Sequence, residues 1–330
     1  PAAAAGTVPP AATATAATGG GEESAAPAGG VPAAPAAAAE ASSFSPVTAT
    51  AENPAFSAPI AVTPGAALAA APAETLTDQT ELGPLPRLSK TGIKPWIYYG
   101  RDYARSDKPM IAVMVTGLGF NRKMVEDAVR LPPAISLAFS PYGPSGNIWA
   151  AAARAAGHEI FIELPAEPAD YPASDPGPHG LLTSNNPQEN LTRLRWVMTR
   201  MPGYVGLYLP PQERLTANAD AAAPLLQFIA SRGVMLVLGA ATLPEAAERL
   251  LTTLVLPVVR ADIYSGEEST VDFSGLLLQL EDLAHRNGRA LLVVQASPGV
   301  FKVLGDWAQR IEEKGYSLAP VSALARIPNS

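Results

Sequence analysis

The sequence lacks cysteine altogether and contains only three histidines. The usual residues of disulfide bonds and of zinc sites are therefore absent or few. Disulfide bonds are excluded. A zinc site would need widely separated ligands, because His158, His179 and His285 share no metal-binding spacing. A Gly-x-Ser-x-Gly motif is also absent, which argues against a hydrolase of the Ser/His/Asp type.

Lysine and arginine are absent from residues 1–86, whose seven acidic residues account for the net charge of −7 of the chain. The remaining residues are neutral as a set, with 23 basic and 23 acidic side chains. A neutral body argues against a nucleic-acid binder that works by broad phosphate neutralisation. It argues equally against a protein that binds acidic lipid through its charge. We therefore expect no nucleic-acid partner.

Long apolar runs are missing too. No stretch approaches the roughly 18 residues that a membrane span needs, and no signal peptide is visible. Residues 1–86 consist mainly of Ala, Pro, Thr, Gly and Ser, whose side chains are too small to repay the entropy of ordering. We predict a disordered acidic linker over residues 1–86. Because the chain begins with Pro1 instead of methionine, we expect that an upstream piece was removed. That piece is a candidate for a membrane tether.

After the linker, residues 87–107 form a bridging segment, whose tryptophan and three tyrosines favour packing against the body. Over residues 108–327, short apolar runs alternate with helical patterns. Strands are predicted at residues 110–115, 135–139, 159–164, 204–209, 234–238, 255–259, 290–294 and 317–320. Helices are predicted at residues 122–130, 148–156, 187–201, 219–231, 243–251, 270–286 and 300–314.

This alternation predicts an α/β fold of seven or eight βα units, in which helices cover both faces of a parallel sheet. The number of units favours a (β/α) barrel over an open sheet, with functional side chains at the carboxyl ends of the strands. The third predicted strand carries Glu163 and Glu167 at that end. These two acids are either an acid/base pair or ion-pair partners of arginines such as Arg214 and Arg260.

The glycines that follow the first predicted strand invite a dinucleotide-binding interpretation. Gly117 and Gly119 are spaced as Gly-x-Gly, but the third glycine position is Arg122 and no acid follows at the expected distance. A tight turn between strand and helix, with Asn121 as the helix cap, is the better interpretation.

Several motifs occur in the same order as in a known family. They are Leu-Ala-Phe-Ser-Pro-Tyr at residues 137–142, Ala-Ala-Gly-His-Glu at 155–159, Leu-Pro-Ala-Glu-Pro at 164–168, Tyr-Pro at 171–172, Asp-Pro-Gly-Pro-His at 175–179, Leu-Leu-Thr at 181–183, Pro-Gly-Tyr-Val-Gly at 202–206, Arg-Leu-Thr at 214–216 and Leu-Ala-Pro-Val-Ser-Ala-Leu at 318–324. With them the sequence resembles the divergent polysaccharide deacetylases, a bacterial envelope family related to metal-dependent carbohydrate esterases. The resemblance covers residues 108–324 and implies a distorted (β/α) barrel.

The sequence departs from this family where the family binds its metal. An Asp-Asp pair is replaced by Thr116 and Gly117, an Asn-His-Met-Gly-Ser segment by residues 209–213, an Asp-Ser pair by residues 239–240, and a His-Pro-His segment by residues 295–298. Glu163 stands where the family has histidine, while Glu167 remains. Since a hydrolytic metal needs about three protein ligands, we expect neither a metal nor another cofactor.

The resemblance and these losses together predict a pseudoenzyme of the periplasm or cell envelope, which binds a glycan or an envelope protein. Tyr142, Trp149 and Tyr208 are either sugar-stacking side chains or ordinary core and rim residues. One alternative is a metal-free glycan hydrolase that uses Glu163 and Glu167 with Asp262. Another is a residual deacetylase in which Glu163, Glu167 and His179 bind a metal ion. The predicted cleft consists of Thr116, Tyr142, Glu163, Glu167, His179, Gln212, Glu213, Arg214, Gln295 and Ser297.

Overall fold

The computed structural model describes residues 67–211, 214–239, 243–266 and 272–325. Most of the predicted linker therefore lies outside the described residues, as do two members of the predicted cleft, Gln212 and Glu213.

Within the described residues, the sheet at the centre of the fold has nine strands, and every pairing in it is parallel. Its strands run in the order β8-β7-β6-β5-β4-β3-β10-β9, and β11 pairs with β3. The strands are β3 (Met110–Leu118), β4 (Ser136–Phe139), β5 (Ile160–Glu163), β6 (Gly206–Leu209), β7 (Met235–Leu238), β8 (Val258–Arg260), β9 (Ile263–Ser265), β10 (Arg289–Gln295) and β11 (Ser317–Leu318). A separate antiparallel hairpin of β1 (Thr77–Thr80) and β2 (Gly83–Pro86) precedes them.

The sheet curls into a barrel because its two edge strands are neighbours in the chain. Only Ala261 and Asp262 separate β8 from β9, which lie at opposite ends of the strand order. The backbone N–H of Ala261 donates to Leu238 in β7, and that of Asp262 donates to Leu291 in β10, both at 2.9 Å. The chain thus crosses the gap between the two edges, which confirms the prediction of a distorted (β/α) barrel.

Helices surround the barrel, and each of the seven predicted helices is present with somewhat shifted ends. The helices are α1 (Pro95–Tyr98), α2 (Arg122–Ala128), α3 (Gly146–Ala155), α4 (Pro187–Met198), α5 (Arg214–Ala217), α6 (Ala219–Ser231), α7 (Glu245–Thr253), α8 (Phe273–Asn287), α9 (Pro298–Ala308) and α10 (Val321–Ala325). The capping role predicted for Asn121 is confirmed, since its side chain accepts from the backbone N–H of Met124 at the start of α2.

Side chains alternate between two apolar layers along each strand. In β3, Ile111 and Val113 belong to the layer between sheet and helices, whereas Ala112 and Met114 belong to the barrel interior. The same alternation continues to the carboxyl ends of the strands. It therefore places Thr116, Glu163 and Gln295 on the inner side of the barrel, next in sequence on that face after Met114, Phe161 and Val293.

Residues 74–86 are structured, so the prediction of disorder up to residue 86 is wrong for them. They form a short 3-10 helix (Glu74–Leu76) and the β1-β2 hairpin. Buried Arg154 holds the neighbouring segment by donating to the carbonyl oxygens of Ala69 (2.5 Å) and Tyr99 (3.2 Å). Small side chains order here because the barrel supplies the buried cation and the apolar partners, which composition alone does not reveal.

Candidate functional site

Thr116 and Gln295 meet at the carboxyl ends of β3 and β10. The two residues are direct partners in the parallel pairing of these strands. The hydroxyl of Thr116 lies 3.1 Å from Oε1 of Gln295 and 3.3 Å from the carbonyl oxygen of Val294, so it donates to one of them. Thr116 is almost fully buried. The hydroxyl of Thr116 is therefore occupied by a contact within the barrel.

Gln295 also covers Gly117, the second position at which the resemblance expects an acid. Gly117 has a φ of +74°, a backbone conformation that glycine adopts without strain. A β-carbon at this position would overlap the side-chain amide of Gln295. An aspartate side chain thus has no room at position 117 unless Gln295 moves.

Glu163, at the carboxyl end of β5, faces Gly117 as well. Its Oε1 accepts a hydrogen bond from the backbone N–H of Gly117 at 2.5 Å. Burial raises the pKa of the Glu163 carboxyl to about 7, against a smaller opposite effect of the Gly117 hydrogen bond. Near neutral pH this carboxyl is consequently a mixture of its protonated and ionised forms. It is able to donate or accept a proton, and it is poorly suited to hold a full negative charge.

Glu167 has a different environment from Glu163. Its Oε2 accepts from both the backbone N–H (2.6 Å) and the hydroxyl (2.7 Å) of Thr183, and its Oε1 lies 3.3 Å from Nη1 of Arg214. Burial alone would raise its pKa, but the Thr183 and Arg214 contacts outweigh burial and hold the pKa of Glu167 below its usual range. Arg214 donates further to the carbonyl oxygen of Ala169. Glu167 and Arg214 therefore fasten the loop that follows β5.

Asp262 does not join these acids, so its predicted place beside them is wrong. Its carboxylate accepts from the backbone N–H of Leu291, near the amino end of β10. Leu291 lies four positions before Gln295, which corresponds to roughly 13 Å along a strand. The sequence does not reveal this because β9 has three residues, too few to show alternation.

His179 stacks on Trp196 with ring centroids 3.6 Å apart and an interplanar angle of 11°. Its backbone N–H donates to the hydroxyl of Tyr142 at 3.1 Å. Burial lowers the pKa of His179, with the charges of Arg193 and Arg200 acting in the same direction. These contacts hold the loop that contains His179 against α4. Trp196 was not among the predicted residues, and its position in a helix gave no sequence signal for this contact.

The remaining predicted residues have structural roles, either in the core or as a helix cap. Trp149 and Tyr208 are 0% and 2% exposed, so they are core residues and present no surface to a sugar. Ser297 caps α9, because its hydroxyl accepts from the backbone N–H of Val300. Gly239, another position where the resemblance expects an acid, is closed by Pro211, whose Cδ would lie 2.7 Å from a β-carbon there.

This set of side chains does not fit a hydrolytic metal. Among the residues that the structure describes, no group of three or more His, Asp and Glu is arranged to hold a metal ion. The convergent donors are Thr116, Glu163 and Gln295, of which only Glu163 is acidic. A catalytic zinc ion needs about three strong protein ligands and one open position.

Comparisons with known proteins agree with this fold. The profile of the divergent polysaccharide deacetylases matches residues 113–325. The chain belongs to this family. It is 22% identical over 219 residues to the uncharacterised protein YibQ of Escherichia coli K12, a match that covers 66% of this chain and 65% of YibQ. The chain thus spans slightly less than two thirds of that relative.

A solved relative shows the same architecture. The crystal structure of an uncharacterised protein from Agrobacterium tumefaciens C58 has 29% sequence identity and a TM-score of 0.69, covering 73% of this chain and 99% of the other. The profile match and the shared architecture confirm the family resemblance of the sequence.

Within the described residues, no helix is long and apolar enough to cross a membrane.

Proposed function

We propose that this divergent polysaccharide deacetylase is a non-catalytic member that uses its barrel as a binding module in the bacterial periplasm or envelope. The observation that carries the proposal is the set of side chains at the carboxyl end, where Thr116, Glu163 and Gln295 converge and Glu163 is the single acid among them, with the amide of Gln295 lying over Gly117. Glu163 supports it, because it is the one acidic side chain among the three that converge there, and its Oε1 is already bonded to the backbone N–H of Gly117.

The loss of several metal-ligand positions supports the absence of catalysis better than the loss of one would. Restoring an acid at Gly117 alone would leave Thr116 buried and bonded, and Gly239 closed by Pro211. The ligands of a metal ion act together, so a partial set has little affinity. We propose accordingly that the chain carries no metal and no other cofactor.

The partner that we propose is an envelope glycan or an envelope protein, with no role for nucleic acid. The carboxyl end offers the half-buried ring of Tyr142 and the exposed cation of Arg214. Partly exposed aromatic rings with adjacent polar groups suit sugars, which have apolar faces and hydroxyl edges.

A deacetylation assay tests this proposal. Purified chain, with added zinc, is incubated with acetylated chitin oligosaccharides and peptidoglycan, and acetate release and bound metal are measured. We expect no acetate above the blank and no stoichiometric metal. Acetate release that is abolished in Glu163→Ala and kept in the control Asp262→Asn would overturn the proposal. Titration calorimetry with the same glycans, and co-purification with envelope extracts, measure the binding.

A second candidate is a metal-free hydrolase, because a carboxyl with a pKa near 7 is suited to general acid catalysis. Glycoside hydrolysis also needs a second available carboxylate, and Glu167 is bonded to Thr183 and Arg214. Glycan cleavage with a pH optimum set by a group of pKa near 7, and its loss in Glu163→Gln, would favour this candidate.

A further inference from the structure

The neutral charge of the body conceals a basic segment. Residues 87–108 contain six Lys and Arg against two Asp, whereas residues 109–330 contain 17 basic and 21 acidic residues. The basic segment runs along the amino end of the barrel, where Tyr99 and Met110 enter the barrel interior. The segment thus has four more basic than acidic residues, whereas the rest of the body has four more acidic than basic ones.

The same segment contains a loop with exposed apolar side chains, residues 88–98, which we call the amino-end loop. Four of its large side chains are exposed: Leu88 (37%), Ile93 (48%), Ile97 (49%) and Tyr98 (40%). A tight turn closes the loop, since the N–H of Ser89 donates to the carbonyl oxygen of Ile93 at 2.9 Å. Lys90 lies exposed in this turn.

Buried neighbours fix the amino-end loop to the barrel. Trp96 and Tyr99 are 7% and 3% exposed and belong to the interior cluster. The N–H of Trp96 donates to the carbonyl oxygen of Gly233, just before β7. The loop thus has one defined orientation, and its exposed apolar side chains lie at the amino end of the barrel.

A cavity of about 960 Å³ lies at the amino ends of β3, β8 and β10, and residues 105–108 of the basic segment line part of it. Four cations line it: Arg105, Lys108, Arg260 and Arg289. Within the described residues Arg105, Lys108 and Arg289 form no ion pair, although the charge of Arg289 lowers the pKa of Asp262 against the larger effect of burial. Lys108 and Arg289 donate instead to the backbone carbonyl oxygens of Glu312 and Leu324. Three acids, Asp107, Glu248 and Asp262, also line the cavity, and Glu248 is paired with Arg260. The cavity therefore keeps donors available for an anion.

We propose that the amino end of the barrel docks onto an anionic lipid surface. The exposed side chains of Ile93, Ile97 and Tyr98 enter the interface between headgroups and acyl chains, where aliphatic and tyrosine side chains are stabilised. Lys90 and Lys94 meet the headgroup phosphates, and Arg105, Lys108 and Arg289 receive a headgroup in the cavity. A soluble polyanion would satisfy the cations but would leave the apolar side chains in water.

Vesicle co-sedimentation of the full chain tests this proposal. Vesicles of phosphatidylcholine are compared with vesicles that contain about one quarter phosphatidylglycerol. We expect binding to the anionic vesicles, little binding to the neutral ones, and weaker binding as salt concentration rises. Equal binding to both kinds of vesicle, or binding to neither, would overturn the proposal.

Matched variants separate the apolar and charged contributions. The double variant Ile93→Ser/Ile97→Ser is expected to bind anionic vesicles at least about tenfold more weakly. Replacement of Lys90 and Lys94 by Gln is expected to weaken binding about fivefold per lysine. Leu278→Ser and Lys302→Gln, which alter exposed residues of α8 and α9, are the controls and are expected to bind as the parent does.

Two further outcomes decide against the membrane as the partner. If heparin binds as tightly as the vesicles and the serine variant binds heparin equally well, the surface recognises a soluble polyanion. If the controls lose as much vesicle binding as the loop variants, the loop is not the docking site. Circular dichroism and thermal unfolding of every variant verify folding, so a loss of binding is not a loss of structure. The vesicle assay does not depend on whether the carboxyl end is catalytic.

Discussion

The two ends of the barrel differ in the contacts that their polar side chains make. At the carboxyl end, Thr116, Gln295 and Glu163 bond to one another or to the adjacent backbone, and Gln295 fills the space above Gly117. At the amino end, Arg105 and Lys108 face an open cavity. The inward-facing polar side chains at the carboxyl end thus bond to one another, whereas cations at the amino end line a cavity. Four substitutions test this contrast.

The largest effect is expected at Arg154, which attaches the amino-terminal segment to the barrel. Its guanidinium donates to the carbonyl oxygens of Ala69, Tyr99 and Gly203, and burial lowers its pKa to about 10. Arg154→Ala leaves these buried acceptors without their donor, so we expect a loss of about 3 kcal/mol in the free energy of unfolding. Urea unfolding measures it, and Arg154→Lys, which keeps the charge, is the control. An unchanged midpoint would mean that the segment is not held by Arg154.

Glu163 is expected to make stability depend on pH in the direction opposite to most carboxyls. Its folded pKa of about 7 lies above an unfolded value of about 4.3. The folded state therefore binds more protons in this window, and stability falls as pH rises from about 4.3 to about 7. Allowing for the partial exposure of the side chain, we expect a change of about 2 kcal/mol. Unfolding midpoints across this range, for the parent and Glu163→Gln, measure it; a variant with the same pH dependence would contradict this prediction.

Gly117→Ala tests whether the carboxyl end is filled. The positive φ and the overlap with Gln295 both oppose a β-carbon, so we expect a destabilisation of about 1–2 kcal/mol. In a Gln295→Ala background the steric part is relieved and only the backbone part of about 1 kcal/mol remains. Thermal unfolding of the two single variants and the double variant forms a double-mutant cycle. Strict additivity would show that Gln295 does not occupy this space.

Ile97→Ser is expected to have the smallest effect on stability, within about 0.5 kcal/mol. The side chain is half exposed, so its removal changes little buried area. A control at a somewhat more exposed position, Leu278→Ser, should likewise change the free energy of unfolding little. A large loss of stability for Ile97→Ser would show that this side chain belongs to the core and is not available to a partner.

Sequence patterns predicted the fold well and the site only in part. The eight predicted strands and seven predicted helices are present, because runs such as residues 110–115 and 234–238 are apolar on both faces. β9 was missed for its short length, and with it the position of Asp262. The contacts of Glu167 were open to two interpretations, and Arg214 proves to be its partner. No local pattern indicates the stacking of His179 on Trp196.

The order of motifs and the hydrophobic alternation determined the family, the barrel and the positions at which metal ligands are missing, because these depend on neighbouring residues in the chain. The tertiary structure alone decided what occupies those positions. Gln295 covers Gly117 across 178 residues of sequence, and Arg154 reaches back to Ala69 across 85. It also decided where the basic segment lies, since the hydrogen bond from the N–H of Trp96 to the carbonyl oxygen of Gly233 holds it at the amino end of β7. Side-chain packing and charge both depend on distances in space, which composition does not contain.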